Sequence, residues 1–434
     1  MSGVSLTKKM RLAGCSEAQI ERFLKKRNLF LTGPEAYISE SDIRPVPELP
    51  KLDELPASTR VDWSRLAVLK LNGGLGTSMG LSIPKSLVEV KKGKTFLDFI
   101  VMQSRALGIS LLLMNSFHTE PPTLKYLKKL EFQQDLPCCL CQSRVPKLDL
   151  SGEPAYAPER PELEWCPPGH GDIYPTLIES GIRDALLKEG IEILFVSNAD
   201  NLSAIPKAEI MEWFIQEQAH FAMEVTRRTP IDQKGGHLAL SKDGRFCLRE
   251  IAQCPEEDIP AFMDIEKHRI FNTNNLWIRL DAVDHTWYDL PLIVNRKTLD
   301  PTDPKSPPVV QLETAMGAVI GLLKEARAIE VPRSRFAPVK TTSDLMIARS
   351  DVYETDANGC WKACSEPLPR VTLDPQYYKR LQDYDDMVRV TPSLMSCRSL
   401  EVVGPVVFDE FLELTGEVLL SNKGSRRIPA RLLF

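Results

Sequence analysis

The chain has 434 residues, 43% hydrophobic content and a formal net charge of −5 at pH 7. A chain of this length is enough for two or three domains. The slightly acidic balance provides no global field for nucleic acid or an anionic membrane. No run approaches the roughly 18 apolar residues of a transmembrane helix. We therefore predict a protein that binds neither nucleic acid nor membrane.

The first 55 residues predict a segment that is helical at first and then loop-like. The opening stretch, MSGVSLTKKMRLAGCSEAQIERFL, has a short basic run but no long apolar core. This is typical of an amphipathic helix and not of a signal peptide. The proline-containing stretch RPVPELPKLDELP then predicts a loop. A different pattern begins near Val61, so residues 1–55 are predicted to be an N-terminal helical segment.

Residues 56–350 show short apolar runs that alternate with helical segments. The runs predict strands at 66–71, 109–116, 192–200, 220–228 and 270–280. Helices are predicted in TFLDFIVMQSRAL, TLIESGIRDALLKEG and PKAEIMEWFIQEQAH, and one more is predicted over 309–326, VVQLETAMGAVIGLLKEA. Alternation of this kind is typical of a layered α/β domain with a mostly parallel sheet.

Residues 351–434 predict a second, β-rich unit. Short β-prone pieces between 399 and 422 are interrupted by Gly404 and Gly416. Glycines at this separation are compatible with the coils of a small β-solenoid. Since two coils are thin evidence, a plain β-meander remains the alternative.

The ten cysteines are spread along the chain, and the only CxxC spacing is that of Cys138 and Cys141. Cys138, Cys139 and Cys141 form one cluster, and Cys360 lies four residues before Cys364. A zinc site usually needs two ligand pairs at matched spacing, which these clusters do not provide. The pattern favours reduced structural thiols in a reducing, cytoplasmic compartment over a metal site or disulfides.

The stretch LNGGLGTSMGLSIPKS, from Leu71 to Ser86, carries the first chemical signal. It lacks the Gly-Lys pair of a Walker A loop, and its glycine spacing does not fit the dinucleotide fingerprint. Backbone without side chains can nevertheless approach a base or phosphate closely. Lys85 could then neutralise phosphate charge. A tight turn with a solvated lysine is the alternative.

Two further motifs place polar residues where a ligand could bind. EILFVSNAD is an apolar strand that ends in Asn198 and Asp200. An aspartate at such a strand end can hold Mg²⁺ while substrate phosphates supply other ligands. In PPGHGDIYPTL, small neighbours leave His170 accessible just before a predicted helix. An Asx cap and a structural histidine are the respective alternatives.

Two motifs in the second half of this region point to a sugar phosphate. FNTNNLW places three asparagines in one predicted strand, although asparagine is a poor strand former. Clustered amides suit sugar hydroxyls, and a distorted strand edge is the alternative. In VPRSRFAPVKTTSDL, Lys340 precedes a predicted helix start, which makes an anion site or a solvated basic loop.

Taken together, these motifs resemble the UDP-glucose pyrophosphorylase family, also called the UTP–glucose-1-phosphate uridylyltransferases. The resemblance covers about three quarters of the chain and is carried in order by LNGGLGTSMG, PKS, GHGD, SNADN, FNTNNLW, VVQLETA and VPRSRFAPVKTTSDL, with KGGHL and LREIAQCP between them. The related family that acts on N-acetylglucosamine phosphate carries a loop more like LAGGxGTRLG. Asn72 and the pair Ser78-Met79 favour the glucose family.

The resemblance implies a Rossmann-like nucleotidyltransferase fold, with a mixed sheet flanked by helices and a short C-terminal left-handed β-helix. It implies reversible formation of UDP-glucose and pyrophosphate from UTP and glucose 1-phosphate, with Mg²⁺ as cofactor. The family's last β-helix coil is not found after GEVLLSN. We therefore expect a monomer, with an oligomer as the alternative. A pyrophosphorylase of broader sugar 1-phosphate specificity and a non-catalytic nucleotide-sugar-binding relative are the competing functions.

The resemblance also implies roles for individual residues. Lys85 and Lys340 would be the catalytic residues that hold the phosphates, and Asp200 would bind Mg²⁺. The implied nucleotide-binding residues are Leu71, Asn72, Gly73, Gly74, Lys85, Gln142 and Gly169. The implied sugar-phosphate-binding residues are His170, Asn198, Gly235, Glu250, Asn275 and Lys340. Gln142 would read uracil, with Cys141 in place of the asparagine that the family pattern leads us to expect.

Overall fold

The computed structural model describes residues 5–33, 37–58, 61–76, 79–303 and 305–433. Within these ranges the α-helices are α1 (Leu6–Leu12), α2 (Glu17–Thr32), α3 (Phe96–Leu107), α4 (Glu120–Lys129), α5 (Ile173–Glu179), α6 (Ile182–Lys188), α7 (Ala208–Gln216), α8 (Ile259–Met263), α9 (Thr342–Arg349), α10 (Pro375–Tyr378) and α11 (Leu381–Met387).

The strands of the first half of the described chain are β1 (Ile43–Pro45), β2 (Leu66–Asn72), β3 (Glu89–Lys91), β4 (Lys94–Thr95), β5 (Ser110–Asn115), β6 (Cys139–Cys141), β7 (Val145–Pro146), β8 (Trp165–Cys166), β9 (Ile193–Asn198) and β10 (Phe221–Arg227). Those of the second half are β11 (His237–Ser241), β12 (Phe246–Arg249), β13 (Ile270–Arg279), β14 (Ile293–Thr298), β15 (Pro308–Glu313), β16 (Ala326–Glu330), β17 (Tyr353–Thr355), β18 (Trp361–Ala363), β19 (Arg370–Leu373), β20 (Ser393–Val403), β21 (Val406–Val407), β22 (Glu413–Ser421) and β23 (Ile428–Pro429).

A ten-stranded mixed sheet organises the larger part of the molecule. Its main order is β1-β11-β13-β9-β2-β5-β6, and β10, β12 and β16 pair beside this path. The neighbours β9, β2, β5 and β6 run parallel, whereas β13 is antiparallel to β9, β10 and β11. The expectation of a mostly parallel sheet is thus right for one half only. The mixed sheet implied by the family resemblance is confirmed.

The central strands are apolar because both faces of the sheet are covered. In β2, Leu66 and Val68 face one hydrophobic cluster, while Ala67 and Leu69 face the other. Helix α3 packs on the first face, and α5 packs on the second. Parallel strands buried on two sides read as continuous hydrophobic runs, which is why LAVLKL was recognisable as a strand.

Two of the predicted helices differ in the structure. The segment 309–326 is not a helix: it forms β15, followed by a 3-10 segment at Met316–Gly321. The β-branched pair Val309-Val310 pairs with β14, and this tertiary contact outweighs the helix-like spacing. TLIESGIRDALLKEG is divided into α5 and α6 at Gly181, whose φ of +74° ends a continuous helix.

The N-terminal segment is bound to the rest of the fold at two places. Helices α1 and α2 share a hydrophobic cluster with Val145, Leu148 and β15. Strand β1 pairs with β11, so that Ile43 lies opposite Ser241. Close to this strand, the Glu40 carboxylate accepts from the buried Arg249 guanidinium at 2.7 Å. The segment therefore contributes directly to the edge of the central sheet.

The C-terminal region contains parallel strands. β20 lies between β19 and β22 in a three-stranded parallel sheet, and β21 pairs in parallel with β23. A β-meander has antiparallel neighbours, so that alternative is wrong for these strands. All ten cysteines lie in the described ranges and carry free thiols. Over the same ranges we find no helix with the length and apolarity needed to cross a bilayer.

Candidate active site

A cleft of about 390 Å³ lies at the carboxyl ends of β2 and β9. Ligands bind at this edge in open α/β sheets. Predicted residues that line the cleft are Leu71, Asn72, Gly73, Gly74, Lys85, Gln142, Gly169, His170, Asn198 and Asp200. Residues that sequence reasoning did not select are Leu75, Ser86, Met114, Pro167, Ala199 and Glu313. The structure therefore brings all the predicted nucleotide-binding residues together in one cleft.

Gln142 packs directly against the glycine turn. A Cβ added at Gly73 would lie 2.1 Å from Gln142 Nε2, whereas a Cβ at Gly74 would meet nothing within 4 Å. Gly73 thus makes room for the glutamine amide, and Gly74 faces open space. Thr77 and Ser78, later in the same turn, lie outside the described residues.

Asn72 lines the cleft, but its side-chain nitrogen is engaged inside the protein. Nδ2 donates to Asn115 Oδ1 at 2.7 Å and to Thr123 Oγ1 at 2.9 Å, and the residue is 3% exposed. These bonds fix the end of β2 against β5 and α4. The predicted contact of Asn72 with the nucleotide stays a prediction.

Lys85 and Asp200 form an ion pair inside the cleft. Lys85 Nζ donates to Asp200 Oδ2 at 2.9 Å, and the two side chains are 19% and 14% exposed. Asp200 follows β9, and Lys85 begins a 3-10 segment after the glycine turn. Two opposite charges held at this depth are partly desolvated, so a phosphate or a cation that enters the cleft interacts strongly with them.

The oxygen chemistry of Asp200 fits a hard divalent cation. Mg²⁺ is commonly bound by one or two carboxylates together with substrate phosphates, without a dedicated protein cage. Over the described ranges, we find no cluster of three or more His, Cys, Asp or Glu side chains that could together bind a metal ion. The Asp200 carboxylate in the cleft is compatible with a metal that takes its other ligands from a substrate.

His170 is held in the cleft by a hydrogen bond from the 3-10 segment that follows β15. Its Nδ1 accepts the backbone N–H of Met316 at 3.0 Å. Burial lowers the pKa of His170 to about 4, so the ring is neutral at pH 7. With Nδ1 an acceptor, Nε2 carries the hydrogen. The side chain can therefore act as a neutral hydrogen-bond donor but not as a cation.

The loop before α9 is docked onto the turn after β9. Asn201 donates through Nδ2 to Arg335 O at 3.0 Å and accepts from Ala337 N–H at 3.2 Å. Asp200 O accepts from Val339 N–H at 3.2 Å. These bonds bring Lys340, the next residue, close to the Asp200 turn although it does not line the cleft. Its ammonium lies 5.9 Å from the centre of the Phe336 ring.

Gly235 and Glu250 lie outside the cleft lining, beside the Lys340 loop. A Cβ at Gly235 would lie 2.1 Å from the Phe271 ring, and a Cβ at Gly236 would lie 2.5 Å from Glu250 Oε1. Burial raises the pKa of Glu250, and the charge of Lys340 opposes that shift. The Lys340 ammonium is therefore close enough to Glu250 to stabilise its carboxylate.

Asn275 also lies away from the cleft lining and is fully buried in β13. Its Nδ2 donates to Glu224 Oε2 at 3.1 Å, and its Oδ1 has no hydrogen-bond partner among the described residues. Glu224 is paired in turn with the buried Arg335 guanidinium at 2.8 Å. The sugar-binding role of Asn275 stays a prediction.

Known proteins resemble the chain over nearly its whole length. The family model described as UTP–glucose-1-phosphate uridylyltransferase matches residues 20–415. The chain belongs to this family. The protein of that name from Solanum tuberosum is 39% identical, over 95% of this chain and 90% of the relative.

Solved structures of the family have the same fold. A variant of UDP-glucose pyrophosphorylase from Leishmania major, in complex with UDP-glucose, is 41% identical and gives a TM-score of 0.90, covering 98% of this chain and 95% of that one. A UDP-glucose phosphorylase from Trypanosoma brucei gives the same identity and TM-score, covering 98% and 96%. The family resemblance carried by the sequence motifs is confirmed, as is a central mixed sheet consistent with the nucleotidyltransferase type.

A buried lysine beneath the cleft escaped sequence reasoning. Lys70 is 2% exposed, and its Nζ donates to Ser197 Oγ at 2.7 Å and to Ala204 O at 2.9 Å. Burial lowers the pKa of Lys70 to about 7. The signal was a charged residue inside the apolar run LAVLKL, because lysine is almost never fully buried without partners. Lys70 of β2 therefore binds residues on both sides of Asp200, namely Ser197 before it and Ala204 after it.

Proposed function

We propose that this protein transfers the uridylyl group of UTP to glucose 1-phosphate, forming UDP-glucose and pyrophosphate reversibly. The observation that carries the proposal is the cleft at the carboxyl ends of β2 and β9, where Lys85 and Asp200 pair beside the glycine turn. Membership of the uridylyltransferase family supplies the reaction class, and the retained ion pair argues against a non-catalytic relative.

The transfer needs charge relief and alignment more than it needs a base. A phosphate oxygen of glucose 1-phosphate attacks the α-phosphorus of UTP, and the bond to pyrophosphate breaks. A phosphomonoester has a second pKa of about 6, so the attacking oxygen is already ionised at pH 7. Lys85 and Lys340 bring positive charge to the reacting phosphates, which stabilises the charge that develops during transfer.

Asp200 is the residue that would hold Mg²⁺. When bound, the cation would neutralise phosphate charge and orient the triphosphate. The carboxylate lines the cleft, and its ion pair with Lys85 supports a role in holding a cation there. Lys85 can then turn from Asp200 to a phosphate oxygen.

The two substrates would meet in this region. The nucleotide would contact Leu71, Asn72, Gly73, Gly74 and Gly169, with the Gln142 amide facing uracil. The amide fits because uracil presents one N–H donor flanked by carbonyl acceptors, and glutamine offers both complements. Glucose 1-phosphate would contact His170, Asn198, Gly235, Glu250, Asn275 and Lys340.

The wider organisation follows the same proposal. Residues 1–55 would form an N-terminal helical segment, 56–350 the catalytic domain and 351–434 a C-terminal domain with a short left-handed β-helix. Parallel pairing of β20 with β22, with Leu400 opposite Val418, supports successive coils. The free thiols support a reducing, cytoplasmic location.

The deciding experiment is a pyrophosphate-release assay with matched substrates. We expect Mg²⁺-dependent turnover with UTP and glucose 1-phosphate, and UDP-glucose as the sugar product. Other nucleoside triphosphates, galactose 1-phosphate and N-acetylglucosamine 1-phosphate should be run beside them. If glucose 1-phosphate and UTP yield no UDP-glucose, the proposal is wrong. Equal rates with all three sugar phosphates would establish the broader pyrophosphorylase instead.

A further inference from the structure

Helix α2 covers the back of the loop that carries Gln142. Gln19 Nε2 donates to Ser143 Oγ at 3.2 Å, and Arg144 donates to Ala13 O. Cys15 Sγ donates to Arg144 O at 3.7 Å. The N-terminal helices are thus attached to the residues directly after Gln142, on the side of the loop that does not line the cleft.

A buried carboxylate holds the backbone of the same loop. Asp172 is 5% exposed, and its Oδ2 accepts the N–H of Ser143 at 2.6 Å and the hydroxyl of Thr176 at 3.2 Å. Gln142 is held on its other side, where its own N–H donates to Asn115 O at 2.8 Å. The two bonds together fix the peptide groups on both sides of the glutamine Cα.

Lys26 of α2 lies near this carboxylate, because the Thr314 hydroxyl that accepts from its Nζ lies 2.5 Å from where a Cβ on Gly171, the residue before Asp172, would be. Burial raises the pKa of Asp172, while the Ser143 N–H and the charge of Lys26 oppose that rise. Burial likewise lowers the pKa of Lys26, and Asp172 opposes that fall. Lys26 Nζ also donates to Thr314 Oγ1 at 3.4 Å, next to the turn that carries His170. Arg22 of the same helix also opposes the rise of the Asp172 pKa, so the loss of Lys26 leaves this buried carboxylate with less compensation of its charge.

We propose that Asp172, with the Lys26 side chain nearby, acts as a brace that holds the Ser143 peptide and positions Gln142 for reading uracil, which makes both of them positioning residues for nucleotide choice. The inference rests on the proposed function, in which Gln142 faces the base. Gln142 is tightly confined, since its amide already lies against Gly73. A small shift of the Ser143 peptide therefore displaces the amide, and a site built from hydrogen bonds loses discrimination when one of them is broken.

The primary test compares two neighbouring lysines of α2. Lys26→Met removes the charge of the brace and keeps much of the side-chain volume. Lys25→Met is the matched control, because Lys25 makes a surface ion pair with Asp289 in which both side chains are about two-thirds exposed. We expect Lys26→Met to lower the ratio of kcat/KM for UTP to that for CTP by about fivefold, the factor for one average hydrogen bond. KM for glucose 1-phosphate and the Lys25→Met ratio should stay unchanged.

A second variant and a second background separate positioning from general damage. Asp172→Asn keeps the shape but removes the charge, and it should lower the same ratio. In a Gln142→Ala background, Lys26→Met should cause no further loss of selectivity, because the group that it positions is gone. A purely structural role would lower Tm and the active fraction while leaving the UTP to CTP ratio intact in the folded protein. That outcome would overturn the brace.

Direct binding keeps this inference distinct from the proposed reaction. The ratio of Kd values for UTP and CTP, measured by calorimetry in the presence of Mg²⁺, needs no turnover. A wild-type protein that prefers UTP but forms no UDP-glucose would refute the reaction and leave the brace testable in Lys26→Met. A protein without preference for UTP would refute the brace. An unchanged binding ratio in both Lys26→Met and Asp172→Asn would do the same.

Discussion

Gly73 and Gly74 are neighbours in sequence, but they have different surroundings. We expect Gly73→Ala to displace Gln142, because the new methyl group would lie 2.1 Å from its amide nitrogen. Gly74→Ala should leave the unliganded protein intact, since its methyl group would meet nothing within 4 Å. In the proposed complex, that methyl group would enter space needed by the nucleotide.

The two variants should therefore fail in different ways. Gly73→Ala should lower both Tm and the preference for UTP, whereas Gly74→Ala should keep the wild-type Tm and raise KM for UTP. Thermal unfolding and steady-state kinetics on the same preparations measure both quantities. Wild-type KM in Gly74→Ala would show that the nucleotide does not approach this backbone.

Lys85 carries the second residue-level prediction. Lys85→Ala should lower kcat by about 10² or more, the scale for loss of one electrostatic stabiliser. Lys340→Ala should cause a loss of the same order. Lys94→Ala is a suitable control, since Lys94 is an exposed lysine of β4. Near wild-type turnover in either purified variant would remove that lysine from the catalytic set.

The residues of the site were predictable where the chemistry lies in a local motif. Lys85, Asp200 and His170 stand in short stretches whose spacing already indicates a strand end or a glycine turn. The contacts that orient them depend on distant partners. The Asn72 side chain points inward because it donates hydrogen bonds to Asn115 of β5 and Thr123 of α4. No local sequence pattern predicts these contacts.

The buried Lys70 of β2 should make the free energy of unfolding depend on pH. The folded-state pKa of Lys70 is about 7, well below the value of about 10.4 for an unfolded lysine. Below pH 7 both states are protonated, and the cost of burying the charge is fully present. Between pH 7 and about 10.4 the unfolded state binds more protons, so the contribution of Lys70 to stability rises with pH.

Replacement by methionine should remove this pH dependence. The free energy of unfolding of the wild type minus that of Lys70→Met should increase from pH 7 to pH 9.5. Urea denaturation at both pH values measures it, and groups common to the two proteins cancel in the difference. A difference that is flat across this range would contradict a depressed pKa in β2.

Element types were predictable where burial repeats along the chain. β5, β9, β10 and β13 lie within their predicted ranges, and β2 extends one residue beyond its own, to Asn72. Apolar runs such as those of β2 and β9 indicate strands buried on two faces. The helix predicted over 309–326 was wrong, although the apolar spacing fits a helix. Pairing with β14 makes the first part of this segment a strand. Strand direction was only half predictable, since pairing partners far apart in sequence determine it.

The state of assembly belongs to the whole molecule, and we predict a monomer. Strand β22 lies at the edge of its three-stranded sheet. Of its outward residues, Glu413, Thr415, Glu417 and Leu419, two are charged, and charges on an edge strand disfavour pairing with another chain. Sedimentation velocity at micromolar concentration should give a mass near 48.9 kDa. A heavier species that grows with concentration would contradict this prediction.

The pairing of β1 with β11 has a consequence for how the chain matures during synthesis. Ile43 leaves the ribosome long before Ser241, the residue that it will face. Domains generally form as units while translation proceeds, and contacts between distant residues form slowly. The parallel strands β2, β5 and β9 can assemble before β11 and β13 exist. The earliest strand of the central sheet must therefore wait, and its docking marks a late step in building the finished enzyme.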